Sequence, residues 1–497
     1  MVGAGSAGAV IAARATAAGR EVLLLEAGPD TPPEVALPPD LHDGTRNSLV
    51  HHDWGMHHVP TRDAAVFPFP RGRVMGGSSA VNTCIVLRGH PYDYDEWGLD
   101  EWRWEKCLPA FIRIETDLDY GDAPHHGSEG PIPVRRHPPE EWVTWQAAFL
   151  AACDELGFAR CDDHNEPNTD GHGPHAMNKI DGQRMNAALC YLTREVRDRP
   201  ALSIATDALV HRVLFDGTRA NGVEVEIAGT VHRVAADRVV LCAGAIHTPG
   251  VLIRSGIGPR ATIEGLGVDL VADVPAVGAR LLDHPGAAMI LAARPGVVDT
   301  RDPLIQTTLR YGAKRTGLRG DMQLQPGSFV PLPFGPVELV SLMTSVGKPR
   351  GVGRLEFRSA DPRAKPRIDS ELLVDPDDLE MACEAMELAW LCATSYPMKD
   401  LADFFWPRER DMTSRAKMRE WIPRQCGSGY HPCGTVPMGE PSDPDAATDE
   451  LGRVRGTEGL IVADASLFPT VPSANTNFPT LMVGERYGAW LAEGRFD

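Results

Sequence analysis

The 497-residue chain has no apolar run long enough to span a bilayer, which argues against stable membrane insertion. It is short of basic residues: 49 Lys and Arg stand against 68 Asp and Glu, a formal charge of −19. Nucleic acid and anionic membranes both require a basic footprint, so neither is an expected partner. There is no C-x-x-C pair among the ten cysteines. In a chain this long they read as reduced core residues, not as a disulfide framework or a zinc site. A helical H-E-x-x-H arrangement is also missing. The histidines of "HHDWGMHHVP" (His51, His52, His57, His58) and His125-His126 therefore read as solvated or structural, and no metal is expected. A basic n-region with a cleavage site is not apparent at the start, so a cytoplasmic location is expected.

What is present begins at once. "VGAGSAG" places Gly3, Gly5 and Gly8 as G-x-G-x-x-G. Such glycines serve the tight turn, the approach of backbone to pyrophosphate, and close helix–strand packing. The helix that follows would hold pyrophosphate at its N-terminus, with Ser6 and Ala7 in its first turn. The apolar run "EVLLLEAG" ends at Glu26 and Ala27, at the spacing where an acidic side chain binds ribose hydroxyls. Only Met1 and Val2 precede the first glycine, so the strand the motif needs is clipped. Restoring apolar residues before Met1 is expected to raise dinucleotide occupancy and stability.

Two further strands fit the same sheet: Val239–Cys242, followed by a turn at Ala243 and a helix, and "GLIVADASLFP", ending at Asp464. Before the first of these, "LSIATDALVHRVLFDGTRANGVEVEI" alternates like antiparallel strands, with turn chemistry at Asp216-Gly217 and Asn221-Gly222. "DPDDLEMACEAMELAWLCATS" reads as a helix, and "GRLEFRSADPRAKPRID" as two strands around Pro breaks. The expected class is α/β (α+β overall): a Rossmann-like nucleotide-binding domain from 1–148, 196–290 and 430–497, and a second domain from 149–195 and 291–429.

"FPRGRVMGGSSAVNTCIVLRGHPYDYDEW" (Phe69–Trp97) closely resembles the first signature of the glucose–methanol–choline (GMC) oxidoreductases, FAD enzymes acting on alcohols. "GAIHTPGVLIRSGIGP", "YHPCGTVPMG" and "LIVADASLFPTVPSANTNFPTLMVGER" resemble three more blocks in the family's order. The resemblance implies that Arg73, Gly76, Gly77, Ser78 and Asn82 run beside the flavin. It places Asp464 and Ala465 at the ribityl–pyrophosphate portion, and the backbone of Val210 at adenine. Pro479 and Thr480, opening an amphipathic helix, fall at the flavin pyrimidine edge. Relatives that bind flavin covalently carry a His just before this Asn; Val81 stands there, so the FAD is expected to be non-covalent. Thr83 departs from the family's usual Gly or Ala.

In the family's reaction a base takes the hydroxyl proton and hydride passes to flavin N5. The resemblance assigns the base to His431 and the second catalytic position to Asn477. Asn475 and His247 read as structural, and Cys433 as a small packed residue. The implied activity is oxidation of a primary, aromatic or furanic alcohol, with oxygen, a quinone or another carrier as electron acceptor. The alternatives within the fold are a non-redox hydroxynitrile lyase and a fatty-acid photodecarboxylase. The implied second domain is an antiparallel sheet with flanking helices over the flavin.

Overall fold

The computed structural model describes residues 1–332 and 335–497. Its nucleotide-binding part is built around a parallel sheet gathered from distant segments. Leu202–Ala205 pairs with Val22–Leu25, and Val239–Leu241 pairs with Leu460–Val462. Val2 sits between the two pairs, bridging in parallel to Leu25 and Leu241. Its backbone makes the ladder bonds of a central strand: Val2 N–H to Val240 O at 2.9 Å, and Cys242 N–H to Val2 O at 2.7 Å. Continuous apolar runs are what a parallel sheet covered on both faces demands, and "VLLL" and "LIV" supply them.

The helix Ser6–Ala17 follows Gly5 directly and packs on Asn477–Ala492. The latter starts at Asn477 rather than Pro479, and it is not amphipathic. Every residue from Phe478 to Tyr487 is buried, because one side meets Ser6–Ala17 and the other meets Trp104–Ile114. Its one buried acid, Glu485, is satisfied by Arg14 Nη2 at 2.8 Å and Tyr191 Oη at 2.7 Å.

The alternating region divides. Leu202–Ala205 joins the parallel sheet, while Ala208–Asp216, Arg219–Ile227 and Thr230–Ala235 form an antiparallel meander. Asp216-Gly217 does lie at a turn. Asn221-Gly222 does not: Asn221 is the unmatched residue of a bulge inside Arg219–Ile227. The second turn is Ala228-Gly229, both with positive φ (49° and 79°), the backbone a two-residue hairpin needs.

The second sheet is antiparallel. Its order is Ala402–Trp406, Pro285–Ala293, Leu339–Val346, Met322–Gly327, Thr307–Tyr311, Gly171–Pro174, with Gly427–Ser428 pairing the start of Pro285–Ala293. One face packs against the helices Pro376–Thr394 and Thr144–Glu155 in an apolar core of its own, separate from the core of the parallel sheet. Asp375 caps the first of these helices, as its Asp-rich start predicts. Arg354–Glu356 and Arg367–Asp369 form the expected pair around the Pro breaks. Among the described residues no helix is long and apolar enough to cross a membrane. All ten cysteines are buried thiols.

Candidate active site

A cavity of about 630 Å³ lies between the parallel sheet and the open face of the antiparallel one. Its wall takes in Gly3, Gly5, Ser6, Ala7, Glu26, Ala27, Gly77, Ser78, Asn82, Val210, Ala243, Asp464, Ala465, Asn475, Asn477, Thr480 and His431. Four sequence-predicted residues are not part of that wall. Gly8 lies under the Gly3 carbonyl, and Gly76 N–H donates to Ala4 O at 2.9 Å. Arg73 is exposed, its guanidinium 5.0 Å from the Trp54 ring. Pro479 is packed within the first turn of its helix.

The residues present fit a dinucleotide. The helix Ser6–Ala17 has no side-chain cap, so its first amides are free to meet an anion. Glu26 receives Ala4 N–H at 2.9 Å and Gly28 N–H at 2.8 Å, which fixes its carboxylate at the end of Val22–Leu25. Burial raises its pKa, partly offset by those bonds. Val210 stands where the register with the neighbouring strand shifts. Asp464 is occupied in the fold: its oxygens accept from Gly244 N–H, Thr248 Oγ1, Ser466 N–H and Ser466 Oγ. It therefore braces the turn beside Ala465. Asn477 accepts from Ser6 Oγ at 2.8 Å, and its Nδ2 is a buried donor without a partner on the cavity wall. Such an orphan donor suits a carbonyl of a bound ring.

At the other end of the cavity is His431. Asp283 Oδ1 accepts from its backbone N–H at 2.9 Å and from that of His284 at 2.8 Å. The two rings meet: His431 Nδ1 is 2.8 Å from His284 Nδ1. His284 Nε2 lies 3.0 Å from Pro472 O, which can only accept. Burial holds His284 neutral, its pKa brought down to about 4. The His284 proton is thus on Nε2, and its Nδ1 is a lone pair. His431 Nδ1 must donate to that lone pair, which leaves His431 Nε2 unprotonated. Burial, then the neighbouring His284 and Arg71, keeps the His431 pKa well below the usual range, so the ring is neutral at neutral pH.

Asn475 Nδ2 lies 3.0 Å from that free Nε2. The residue beside the histidine is therefore Asn475, whereas the sequence pointed to Asn477. Asn477 opens the helix and is turned toward Ser6; Asn475, two residues earlier, precedes the helix and faces His431. His284 was missed altogether, although "DHP" (Asp283–Pro285) was a visible signal. The segment carrying Asn475 is clamped from behind. Val471 O accepts from Lys348 Nζ at 2.7 Å, Pro472 O from His284, and Ser473 O from Arg310 Nη2 at 2.9 Å. Asp93 accepts from Ser473 N–H at 2.9 Å.

Other histidines are structural. The His247 ring is tilted against Trp54, centroids 4.1 Å apart, and His58 Nδ1 bonds Ser370 Oγ at 2.8 Å. His126 is not solvated. Its Nδ1 lies 2.7 Å from Glu115 and 3.0 Å from Asp117, and its Nε2 lies 2.8 Å from Asp163. Both nitrogens face carboxylates, so both are donors and the ring is an imidazolium; Arg88 and Arg136 balance the remaining charge.

These histidines set a pH profile for stability. Burial brings the pKa of His90, His175 and His247 down to about 3, and those of His58, His137 and His284 to about 4. Below about pH 6.5 the unfolded chain binds protons that the fold refuses. Each such group removes about 1.4 kcal/mol per pH unit. Asp283, raised to about 6 by burial, opposes this in part. His126 acts on the other side. Burial lowers its pKa, but its bonds to Asp117, Asp163 and Glu115 carry it up to about 10, so its contribution is lost as pH rises toward that value. The thermal midpoint should peak near neutrality and fall on both sides; a flat profile from pH 4 to 10 would contradict these assignments.

Comparison with known proteins gives the family of the fold. Models of the GMC oxidoreductase N- and C-terminal regions match residues 1–286 and 349–484. The chain is 36% identical to the 5-(hydroxymethyl)furfural oxidase of Methylovorus sp., over 98% of this chain and 97% of that one. It is 31% identical to the oxygen-dependent choline dehydrogenase of Photobacterium profundum, over 98% and 91%. The crystal structure of pyridoxine 4-oxidase from Mesorbium loti superposes with a TM-score of 0.90 at 29% identity, covering 98% of this chain and 97% of that one.

Proposed function

Because the chain belongs to the GMC oxidoreductase family, FAD-dependent enzymes acting on alcohol donors, we propose that it oxidises a primary aromatic or furanic alcohol to the aldehyde, with His431 as base and Asn475 as the group that holds the substrate oxygen. One observation carries this reading. His431 Nε2, an acceptor, and Asn475 Nδ2, a donor, lie 3.0 Å apart on one cavity wall. A hydroxyl complements that pair: it donates its proton to Nε2 and accepts from Nδ2. As the proton moves to Nε2, negative charge grows on the oxygen, and the Asn475 amide is already in place to stabilise it. The His431 imidazolium that forms keeps its Nδ1–H bond to His284, so the ring need not turn.

FAD, when bound, supplies the hydride acceptor. Ser6, Ala7, Glu26, Asn82, Val210, Ala465, Asn477 and Thr480 are the residues that would hold it. Val81 offers only hydrocarbon at the cavity wall, so attachment is non-covalent. Acid precipitation should release all of the flavin into the supernatant; flavin left on the pellet would contradict this.

The test of the reading is anaerobic mixing with benzyl alcohol, 5-(hydroxymethyl)furfural and other primary alcohols. Bleaching of the flavin supports it, and a panel in which no alcohol bleaches the flavin overturns it. The two asparagines should separate in the same assay. Asn475→Ala should slow reduction about 10²-fold with FAD retained, the cost of one lost donor to a developing oxyanion. Asn477→Ala should instead weaken FAD retention. A larger effect of Asn477→Ala than of Asn475→Ala on the reduction rate would return the oxygen-holding role to Asn477.

A further inference from the structure

The antiparallel sheet turns a neutral face to the cavity. It consists of Ala288 and Ile290, Ser341 and Met343, and the two amides Gln323 and Gln325. Among these described residues none is charged. The amides are oriented from behind. Thr308 Oγ1 donates to Leu324 O at 3.4 Å, so it must accept from Gln323 Nε2 at 3.1 Å. The same Nε2 reaches Gln325 Oε1 at 3.3 Å. Buried His175, whose Nδ1 has no partner, places its Nε2 3.2 Å from that Oε1. Two donors thus converge on Gln325 Oε1. What the pair has left for the cavity is the Gln325 Nε2 donor and the Gln323 Oε1 acceptor.

Register gives their place. Gly286 pairs with Ser345 and Ser345 with Gln323; Ala288 pairs with Met343 and Met343 with Gln325. Both amides are therefore two strand spacings, about 10 Å, across the sheet from the strand that His284 leads into. A single ring with oxygens at opposite ends spans such a gap with its hydrogen bonds. We propose that Gln323 and Gln325 are specificity residues that read a second, neutral oxygen, a hydroxyl or carbonyl, at the far end of the alcohol substrate; this rests on the alcohol-oxidation reading above. A quaternary ammonium would lose its hydration at this face with no carboxylate to replace it.

The test is the ratio of kcat/KM for 1,4-benzenedimethanol over benzyl alcohol, with choline as a third substrate. The ratio is taken within each protein, so that poor folding of a variant cancels. The parent should favour the diol about tenfold, beyond the factor of two for its two equivalent groups, and should leave choline almost untouched. Gln325→Leu and Gln323→Leu should each bring the ratio down toward two. Gln325→Glu, which keeps the shape and removes the donor, should lower it as well. A ratio near two in the parent, a ratio unchanged in all three variants, or a preference for choline would overturn the proposal while leaving alcohol oxidation standing. A parent flavin that no alcohol reduces would overturn both.

Discussion

His431→Ala should slow anaerobic flavin reduction by alcohol by about 10² to 10⁴-fold, the range of a lost general base, and leave FAD bound. The imidazole touches only His284 and Asn475 through its nitrogens, so removing it leaves the nucleotide end of the cavity intact. Added imidazole should restore part of the lost rate, because the cavity left behind still has the His284 acceptor on one side and Asn475 on the other. The pH dependence should change as well. In the parent His431 is held neutral, so reduction should be level through neutrality and fall only in acid. In the variant that acid limb should disappear. Equal reduction rates in variant and parent would remove His431 from the chemistry.

The second large effect is on cofactor binding. A Cβ on Gly8 would stand 2.0 Å from the carbonyl oxygen of Gly3, and one on Gly3 would stand 2.4 Å from Cys242 O. Both obstacles are backbone, so neither can step aside. Gly8→Val should push the Gly3–Gly5 turn off the helix start and yield a largely colourless protein, with FAD affinity down by well over tenfold and a lowered thermal midpoint. Gly265→Ala is the control: nothing lies within 4 Å of the added carbon. The flavin-to-protein absorbance ratio reads the result, and a yellow Gly8→Val protein with full occupancy would refute the role given to this turn.

The sequence made the glycine turn legible because its requirements are local. A turn, a helix start and an apolar strand follow one another within thirty residues, each with its own chemistry. The Asp375-capped helix was legible for the same reason, whereas the antiparallel sheet was implied only by the family resemblance. The partner of His431 was not. Asn475 and Asn477 are the same residue type two positions apart, and which one faces the histidine depends on where the helix begins, a boundary set by packing against Ser6–Ala17. His284 lies 147 residues from His431 in the chain. Its role is a matter of tautomer, fixed by one carbonyl at Pro472, and no spacing rule encodes it. Asn221-Gly222 shows the reverse case: a strong turn signal was absorbed as a bulge, because pairing on both sides of Arg219–Ile227 outweighed it.

The clamp on residues 471–473 has a consequence for how this enzyme can be altered. Three successive peptide carbonyls end on Lys348, His284 and Arg310, and all three side chains lie on or beside strands of the sheet whose other residues face the substrate. Asn475 is thus held in place by the same sheet that shapes the cavity. A chimera that takes this sheet from another family member would import a new placement of Asn475 together with the new wall, so selectivity and reactivity would be inherited as one trait.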